Sequence, residues 1–584
     1  MLDCVGMGQA SDNPMIVQSD HTILLEVDSP RYYAARDALL GFAELVKSPE
    51  HVHTYRITPL SIWNARAAGH DAEAMVRVLE TYSRYPPPAN VLREVRDFAE
   101  RYGRLRLVRE GDDQLRLECD DPAMAKMVAG HRETVGMLNT PDKAGTFRVA
   151  AADRGRIKQS LLKAGFPAED LAGYTPGEPL AVKLRARTGA GEAFSLRPYQ
   201  CDAADAFYAG GGERGGSGVV VLPCGAGKTI VGMACLQRVG ASTLILTTST
   251  TAVRQWINEL LDKTDLSEDQ IGEYTGYAKD IRPVTVATYQ ILTHRKHNKN
   301  AFTHLGLFDS RNWGLVIYDE VHLLPAPVFQ VTATLQARRR LGLTATLVRE
   351  DKREDDVFAL IGPKKADVPW KALERQGWIA KARCVEVRVP LPESLRMRYA
   401  MTQARGQFRV ASENPAKGEV VKLILEAYPD DPALVIGMYV DQLKVLALEL
   451  DAPLITGSTS QGKRDALFGA FREGRVPVLV VSKVANFAVD LPDASLAIQV
   501  SGTFGSRQEE AQRLGRLLRP KPGRNQAHFY TLVTRETREQ EFALNRQLFL
   551  CEQGYQYGLV DVEEGTDAIV GQPGPSLFGE ESEL

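Results

Sequence analysis

"VVVLPCGAGKTI", residues 219–230, decides the fold of this 584-residue chain. A β-branched apolar run leads into a loop that holds Gly225 and Gly227, and an apolar helical segment follows at once. This order of strand, loop and helix is the context in which a phosphate-binding loop is expected. Such a loop places a lysine at the β- and γ-phosphates of ATP and a hydroxyl at Mg²⁺, and Lys228 and Thr229 stand at those positions. The stretch therefore predicts a site for ATP and Mg²⁺ at the end of a buried strand.

One position departs from the usual pattern G-x-x-x-x-G-K-[ST], because Leu222 stands where the first glycine is expected. We expect Leu222 to end the strand without touching phosphate, since the glycines that free the loop backbone come later. The loop predicted to surround the nucleotide comprises Leu222, Pro223, Cys224, Gly225, Ala226, Gly227, Lys228 and Thr229.

A second apolar strand, "LVIYDEVH" at 315–322, ends in two carboxylates. Ligands of parallel sheets bind at the carboxyl ends of the strands, which is where Asp319 and Glu320 are expected. Asp319 is predicted to hold the Mg²⁺ and Glu320 to orient or deprotonate the attacking water. Together with Lys228, they predict a site of ATP hydrolysis. His322 has two open interpretations, a relay towards other motifs or a hydrogen-bonded structural histidine.

Short apolar runs alternate with helical segments from about residue 218, which indicates a parallel sheet with helices on both faces. The alternation pauses for about 80 residues and resumes after residue 430 with "ALVIGMY" and "PVLVVS". The predicted fold class is α/β, with two tandem doubly wound parallel sheets. The N-terminal third is predicted to be mixed α and β, with a hairpin at 104–119.

The predicted division of the chain has five parts. They are an N-terminal mixed α/β domain at 1–103, a small α/β domain at 104–185, an ATP-binding domain at 186–375, a second sheet domain at 376–555 with an insertion at about 385–425, and an acidic tail at 556–584.

Composition excludes several classes of protein. The seven cysteines form no C-x-x-C pair, which argues against a disulfide scaffold, a zinc ribbon or an iron–sulfur cluster. The N-terminus resembles no secretory signal and no apolar run is long enough for a membrane span, so we expect a cytoplasmic, nucleoid-associated protein without a membrane partner. Residues 561–584 hold seven acidic and no basic residues, and they are predicted to be a disordered, solubilising end or a docking segment.

The stretch "QRLGRLLRP" at 512–520 predicts a helix with one basic face. Gln512, Arg516 and Arg519 are spaced i, i+4 and i+7, so they fall on the same side. Arginines stabilise the charge that develops during phosphoryl transfer, and one such group is worth about 10³–10⁵ in rate. Because this helix belongs to the second sheet domain, it predicts an ATP site shared by two domains that open and close.

In their order, these motifs resemble those of superfamily 2 helicases. The series includes "LRPYQ" (196–200), "TTSTTAVRQW" (247–256), "VATYQIL" (286–292), "LGLTATL" (341–347) and "ITGSTSQGKRDALFGAF" (455–471). Within that superfamily the chain is similar to the XPB family of DNA-repair helicases. The features that carry this likeness are the DEVH box, the "RED" at Arg349, Glu350 and Asp351, and the "TGSTSQG" element.

The resemblance implies two RecA-like domains, a thumb-like insertion and a DNA helicase or duplex translocase of 3′→5′ polarity driven by ATP. It implies that Arg197 and Gln200 belong to an adenine-reading element, and that Arg516 and Arg519 sense the γ-phosphate. The residues that it assigns to DNA contact or to coupling with hydrolysis are Thr344, Thr346, Arg349, Glu350, Asp351, Arg405 and Arg409.

Two stretches leave questions open. "RMRYAMTQARGQFRV" at 396–410 mixes arginines with Tyr399 and Phe408, which suits either backbone tracking with base stacking or an ordinary amphipathic helix hairpin. "SKVANFAVDLP" departs from the family pattern, because Ala485 and Asn486 stand where the family usually has a Gly-Asp pair that takes part in coupling.

Three functions are weighed on the residues. An ATP-driven DNA helicase or translocase in repair is favoured, with single-stranded and duplex DNA as partners and a repair nuclease or a transcription and repair complex as a further partner. The alternatives are an RNA helicase and a nucleotide-gated scaffold that switches a partner complex. ATPase rates measured with DNA and with RNA separate these functions.

Overall fold

The computed structural model describes residues 12–39, 41–47, 51–67, 69–111, 114–138, 145–174, 176–212, 215–223, 225–294, 303–324, 328, 339–345, 354–482, 494–502, 514–515, 517–518, 525–552, 555 and 557–562. The chain divides into two compact units. The first comprises Met1–Pro223 and Gly227–Pro369, and the second comprises Cys224–Ala226 and Trp370–Leu584.

The first unit begins with a four-stranded antiparallel sheet of order β1-β2-β4-β3. Its strands are β1 (Met15–Val17), β2 (Thr22–Glu26), β3 (Glu44–Lys47) and β4 (Val52–Arg56). The accompanying helices are α1 (Tyr32–Leu39), α2 (Pro59–Ala67), α3 (Ala72–Tyr82) and α4 (Ala89–Arg101). The amphipathic pattern of α4 buries Val91, Val95 and Ala99 at spacings of four residues, which is one face of a helix.

A second small sheet follows, with the order β7-β6-β5-β8. Its elements are β5 (Leu105–Arg109), β6 (Gln114–Cys119), α5 (Pro122–Gly130), β7 (Thr146–Ala150), α6 (Arg154–Lys163) and β8 (Ala168–Leu171). β5 and β6 pair antiparallel, which confirms the hairpin predicted at 104–119. The mixed α and β character expected of the N-terminal third is therefore present in both small sheets.

The first unit also contains a seven-stranded sheet of order β11-β12-β10-β13-β14-β9-β15, and all of its strand pairs are parallel. Its strands are β9 (Ser217–Val221), β10 (Thr243–Thr247), β11 (Ile271–Tyr274), β12 (Val284–Thr288), β13 (Leu315–Asp319), β14 (Arg339–Thr344) and β15 (Lys364–Asp367). Its helices are α7 (Pro198–Tyr208), α8 (Lys228–Val239), α9 (Thr250–Lys263), α10 (Tyr289–Leu292) and α11 (Glu354–Leu360). The central strands are buried on both faces, as their continuous apolar runs predict.

The second unit is built on another seven-stranded parallel sheet, of order β18-β19-β17-β20-β21-β16-β22. Its strands are β16 (Lys381–Val389), β17 (Ala433–Gly437), β18 (Leu454–Ile455), β19 (Val478–Ser482), β20 (Leu496–Gln499), β21 (Gln526–Thr534) and β22 (Tyr557–Asp561). Its helices are α12 (Trp370–Arg375), α13 (Glu393–Met401), α14 (Ala404–Ser412), α15 (Ala416–Ala427), α16 (Val440–Glu449), α17 (Gln461–Arg472) and α18 (Arg538–Glu552). The predicted fold class, two tandem parallel α/β sheets, is confirmed.

The structure differs from the sequence-based outline at two places. The 80-residue pause between the sheets contains β15, which pairs with β9, and β16, which pairs with β21 and β22. The acidic tail does not begin at 556, because β22 at Tyr557–Asp561 is a strand of the second sheet. β15 and β22 are edge strands with partly exposed residues: β15 holds two lysines and an aspartate, and β22 has a single apolar pair, Leu559 and Val560, so neither forms a long apolar run.

No helix in the described ranges is long and apolar enough to cross a membrane.

Candidate functional site: the carboxyl edge of the first parallel sheet

The phosphate-binding loop lies between β9 and α8. Gly225 and Gly227 both have φ of +81°, in the left-handed region that glycine adopts without steric cost. Lys228 and Thr229 are the first two residues of α8, so the positive end of the helix dipole faces the loop. The sequence motif thus has the local structure that binding of a polyphosphate requires.

Leu222 continues the sheet beyond β9. Its backbone N–H donates to the carbonyl of Thr344 at 3.0 Å, and its side chain is completely buried. The departure from glycine at this position is thereby explained, because the residue acts as a strand end whose side chain fills the core. Pro223, the next residue, is also buried.

Gln200 lies against the loop from α7. Its Oε1 accepts the backbone N–H of Arg197 at 3.0 Å, as part of the hydrogen bonding that begins the helix. A Cβ placed on Gly227 would come within 2.5 Å of Gln200 Nε2. The structure therefore brings the element assigned to adenine and the phosphate loop together, and Gly227 has a second reason to be glycine besides its torsion angles.

The two carboxylates follow β13 at the same edge. Asp319 is the last residue of the strand and pairs in register with Leu343, while Thr344 of the neighbouring strand is opposite Val221. Glu320 has φ of +49° and ψ of +54°, a left-handed conformation that costs a residue with a Cβ about 1–2 kcal/mol. Glu320 Oε1 lies 3.0 Å from Lys228 Nζ. The strained turn thus directs Glu320 onto the lysine of the loop.

Asp319 is held in a buried, negatively charged position. Burial raises the pKa of Asp319 to about 6, and the charge of Glu320 adds to the rise, whereas Lys228 and a hydrogen bond from Trp256 lower it. Trp256 Nε1 donates to Asp319 Oδ2 at 2.9 Å, and the hydroxyl of Tyr289 donates to the Asp319 carbonyl at 2.9 Å. Because burial and the charge of Glu320 disfavour the ionised form of Asp319, a cation bound beside this carboxylate would stabilise it.

Sequence reasoning did not assign any role to Trp256 or Tyr289. Both lie inside stretches that were recognised as motifs, 247–256 and 286–292. The signal available was the position of each aromatic residue: Trp256 closes the first motif, and Tyr289 comes directly after the end of β12. Neither position shows from sequence alone that the side chain reaches Asp319.

His322 follows β13 and contacts Thr344, the last residue of β14. Its Nδ1 lies 2.7 Å from the hydroxyl of Thr344 and 3.5 Å from Glu320 Oε2, and the side chain is buried. This contact is present in both interpretations of His322, a relay between the box and the neighbouring motif or a hydrogen-bonded structural histidine.

Several predicted residues lie outside the described part of the chain. They are Cys224, Thr346, Arg349, Glu350, Asp351, Gln512, Arg516 and Arg519, together with Ala485 and Asn486, and the side chain of Arg405. The structure therefore brings together the predicted groups of the first unit, Gln200, Lys228, Asp319, Glu320 and Thr344.

The stretch 396–410 forms α13 and α14 in the second unit. Phe408 is completely buried and makes an edge-to-face contact with Phe542 at 5.1 Å between ring centroids, which for this residue favours the amphipathic helix hairpin over base stacking. Tyr399 accepts the backbone N–H of Arg538 through its hydroxyl. Arg409 is more than half exposed and pairs with Glu413 at 3.0 Å. Among the side chains of this hairpin that the structure describes, the arginines are exposed to solvent and Phe408 packs in the core.

Comparison with known proteins identifies the family. The DNA 3'-5' helicase XPB of Kineococcus radiotolerans is 55% identical over 554 residues, which cover 95% of this chain and 97% of that protein. The chain belongs to the XPB family of superfamily 2 helicases. Its relative of the same name in Mycobacterium tuberculosis is 56% identical over 95% of this chain and 99% of that protein. The resemblance inferred from the motifs is confirmed.

More distant XPB-family proteins also align along most of the chain. The general transcription and DNA repair factor IIH helicase/translocase subunit XPB of Antonospora locustae is 32% identical over 94% of this chain and 82% of that protein. The matching family models are the ERCC3/RAD25/XPB C-terminal helicase at 373–572, the type III restriction enzyme, res subunit, at 193–349 and a helicase conserved C-terminal domain at 15–140. The last match covers the whole of the first small sheet and, of the second, the strands β5 and β6.

Proposed function

We propose that this XPB-family chain hydrolyses ATP and uses the free energy to translocate along DNA or to separate its strands with 3′→5′ polarity. The observation that carries the proposal is the ion pair of Lys228 and Glu320 at the mouth of the phosphate-binding loop, 3.0 Å long. The names of the relatives support the substrate and the polarity, because two proteins of more than half identical sequence are DNA 3'-5' helicases.

The ion pair suggests why Glu320 activates water only after ATP has bound. A carboxylate paired with an ammonium group is a poor proton acceptor, because the positive charge stabilises its ionised form. The γ-phosphate of ATP competes with Glu320 for Lys228, since phosphate carries more negative charge than one carboxylate. Glu320 is then released to orient the attacking water and to accept its proton. Water is thus activated when the substrate is in place.

The residues present fit a Mg²⁺ ion. Asp319 is a buried carboxylate whose pKa is raised by burial and by Glu320, and Thr229 supplies a hydroxyl from the start of α8. Proteins commonly hold Mg²⁺ with one or two side chains plus substrate phosphates and water. When bound, the ion neutralises charge on the phosphate oxygens.

Further roles extend from the site. We assign the adenine contact to Gln200 with Arg197, the sensing of the γ-phosphate to Arg516 and Arg519, and a further catalytic role to Gln512. Coupling of hydrolysis to DNA is assigned to Thr344 and His322, supported by their 2.7 Å contact. The remaining DNA-side residues are Thr346, Arg349, Glu350, Asp351, Arg405 and Arg409.

DNA repair is the process that we propose for this activity, with a repair nuclease or a transcription and repair complex as partner. The name of the Antonospora locustae relative supports this, because it joins transcription and DNA repair. Replacement of the chromosomal gene by one encoding Lys228→Met should make cells sensitive to ultraviolet light. Survival equal to that of wild-type cells would contradict a role in repair and leave the helicase proposal standing.

The activity is tested by steady-state ATPase rates without nucleic acid and with single-stranded DNA, duplex DNA or RNA, each at two salt concentrations. We expect stimulation by DNA that weakens as salt rises, because phosphate contacts release counterions. Duplexes with a 3′ or a 5′ single-stranded extension then test polarity by strand displacement. Stimulation by RNA alone would indicate an RNA helicase, and a rate indifferent to every nucleic acid would indicate a nucleotide-gated switch.

A further inference from the structure

Trp256 joins two helices beneath the nucleotide site. It lies in α9, and only 1% of its surface is exposed. Its ring faces α8, the helix that begins with Lys228, and a Cβ placed on Gly232 of α8 would come within 2.5 Å of the indole. The glycine of α8 therefore makes room for this ring, and the two helices pack closely at that point.

The polar edge of the same indole reaches the catalytic edge of the sheet. Trp256 Nε1 donates to Asp319 Oδ2 at 2.9 Å, and Oδ1 of the same carboxylate accepts the backbone N–H of Glu320 at 3.0 Å. The carbonyl of Asp319 accepts the hydroxyl of Tyr289 at 2.9 Å. Asp319 is thus held from α9, from α10 and from its own turn, and its carboxylate cannot rotate without losing a hydrogen bond.

We propose that Trp256 is a positioning residue for the Mg²⁺–nucleotide complex, acting through the orientation of Asp319. This inference rests on the proposed function. A carboxylate oxygen has two acceptor positions, so the bond from Trp256 leaves one position of Oδ2 for the metal or for a water bound to it. Hydrogen bonds to an ionised group are short and directional, and partners of this kind commonly decide metal affinity.

A purely structural role for Trp256 makes a different prediction. An indole that only fills the space between α8 and α9 would contribute to stability, and its loss would weaken nucleotide binding equally with and without Mg²⁺. A positioning role affects the metal-dependent part of binding alone, since Asp319 meets the nucleotide through the metal.

The test uses Trp256→Phe, which keeps most of the ring and removes the N–H donor. Trp313→Phe is the matched control: Trp313 is also buried in the first unit, and its Nε1 donates to the Leu307 carbonyl at 3.0 Å. Calorimetric titration of the full chain with ADP, in Mg²⁺ and in EDTA, measures both affinities. We expect Trp256→Phe to weaken binding of Mg²⁺–ADP about tenfold, with ADP in EDTA unchanged and Trp313→Phe like wild type.

Equal weakening in Mg²⁺ and in EDTA, or a Trp256→Phe protein that binds Mg²⁺–ADP as Trp313→Phe does, would overturn the inference. Tyr289→Phe, which removes the hydroxyl from the Asp319 carbonyl, is a second variant should Trp256→Phe fail to fold. It should weaken Mg²⁺–ADP binding in the same direction by a smaller factor. A wild-type chain without Mg²⁺-dependent ATPase would instead refute the proposed function.

Discussion

The Nδ1 atom of His322 and the hydroxyl of Thr344 lie 2.7 Å apart, and both side chains are buried at the carboxyl ends of adjacent strands. Glu320, two residues before His322, is paired with Lys228. A change at the Lys228–Glu320 pair is thus one short turn of chain away from β14, whose following residues are assigned to DNA. The relationship links the residues proposed for ATP hydrolysis with those proposed for DNA.

Thr344→Val should separate hydrolysis from movement. The variant keeps the shape of the side chain but removes the hydroxyl that meets His322, while Lys228 and Glu320 stay in place. We expect DNA-stimulated ATPase within a few-fold of wild type and strand displacement reduced at least about tenfold, equivalent to about 1.4 kcal/mol. Thr285→Val is the control, because Thr285 is buried in β12 and its hydroxyl bonds with the backbone N–H and carbonyl of Arg282. An equal loss of both activities would contradict the coupling role.

Lys228→Met should abolish turnover without unfolding the chain. The substitution removes the ammonium group that meets phosphate and leaves Glu320 without its 3.0 Å partner. We expect the DNA-stimulated ATPase rate to fall at least about 10³-fold, and Glu320→Gln to fall comparably. Lys263→Met is the matched control, since Lys263 is also ion-paired, with Glu259 and Asp262, and similarly exposed. Wild-type turnover by Lys228→Met would mean that the site is assigned wrongly.

Gly227→Ala and Gly240→Ala separate backbone strain from a specific clash. Gly227 directly precedes α8 and Gly240 directly follows it. Both have positive φ, +81° and +62°, so an alanine at either position costs about 1–2 kcal/mol. A Cβ at 227 meets Gln200 Nε2 at 2.5 Å, whereas one at 240 lies 3.8 Å from the Leu180 carbonyl. We expect both variants to lower the melting temperature, but only Gly227→Ala to lose more than about tenfold in affinity for ATP. The same affinity in both variants would refute a contact between Gln200 and the loop.

The sequence predicts the central strands because burial on both faces requires continuous apolar residues, as in β13. It does not predict β16, whose buried Glu386 accepts a hydrogen bond from Gln547, 161 residues later in the chain. Sequence patterns predict that a charged residue is exposed, because they do not reveal a buried partner that is distant along the chain. Trp256 was missed for the same reason, since its contact with Asp319 spans 63 residues. The motif residues were found because spacing along the chain fixes them, whereas these contacts depend on packing.

The first small sheet should lose stability in acid through His53. This residue is buried in β4, where burial and the charge of Arg36 lower its pKa to about 4, and its Nδ1 lies 3.0 Å from the hydroxyl of Tyr32. The folded state therefore binds fewer protons than the unfolded state, so the stabilisation is complete above pH 6.5 and is lost as the pH falls from 6.5 to 4. At about 1.4 kcal/mol per pKa unit, the loss amounts to a few kcal/mol.

Urea unfolding of wild type and of His53→Gln across this pH range measures the effect, because glutamine does not titrate. We expect the free energy of unfolding to depend less steeply on pH in His53→Gln than in wild type. Identical slopes for wild type and His53→Gln would contradict the burial of a neutral His53.

Lys417→Met should destabilise the second unit strongly. Lys417 and Glu539 are completely buried, with Nζ 2.8 Å from Glu539 Oε2, and Glu539 also accepts the backbone N–H of Thr534. Removing the lysine leaves a buried carboxylate without its counter-charge, which costs about 3–5 kcal/mol.

Lys422→Met is its control on the same helix. Lys422 is about one-third exposed, and it pairs with Glu419 and Glu449 near the surface. Such exposed pairs contribute about 0–1 kcal/mol, so the free energy of unfolding should change by no more than that. The double variant Lys417→Met with Glu539→Leu should recover part of the loss, because it no longer buries an isolated charge. Denaturant unfolding measures all three, and equal effects of Lys417→Met and Lys422→Met would show that the buried pair does not support the second sheet.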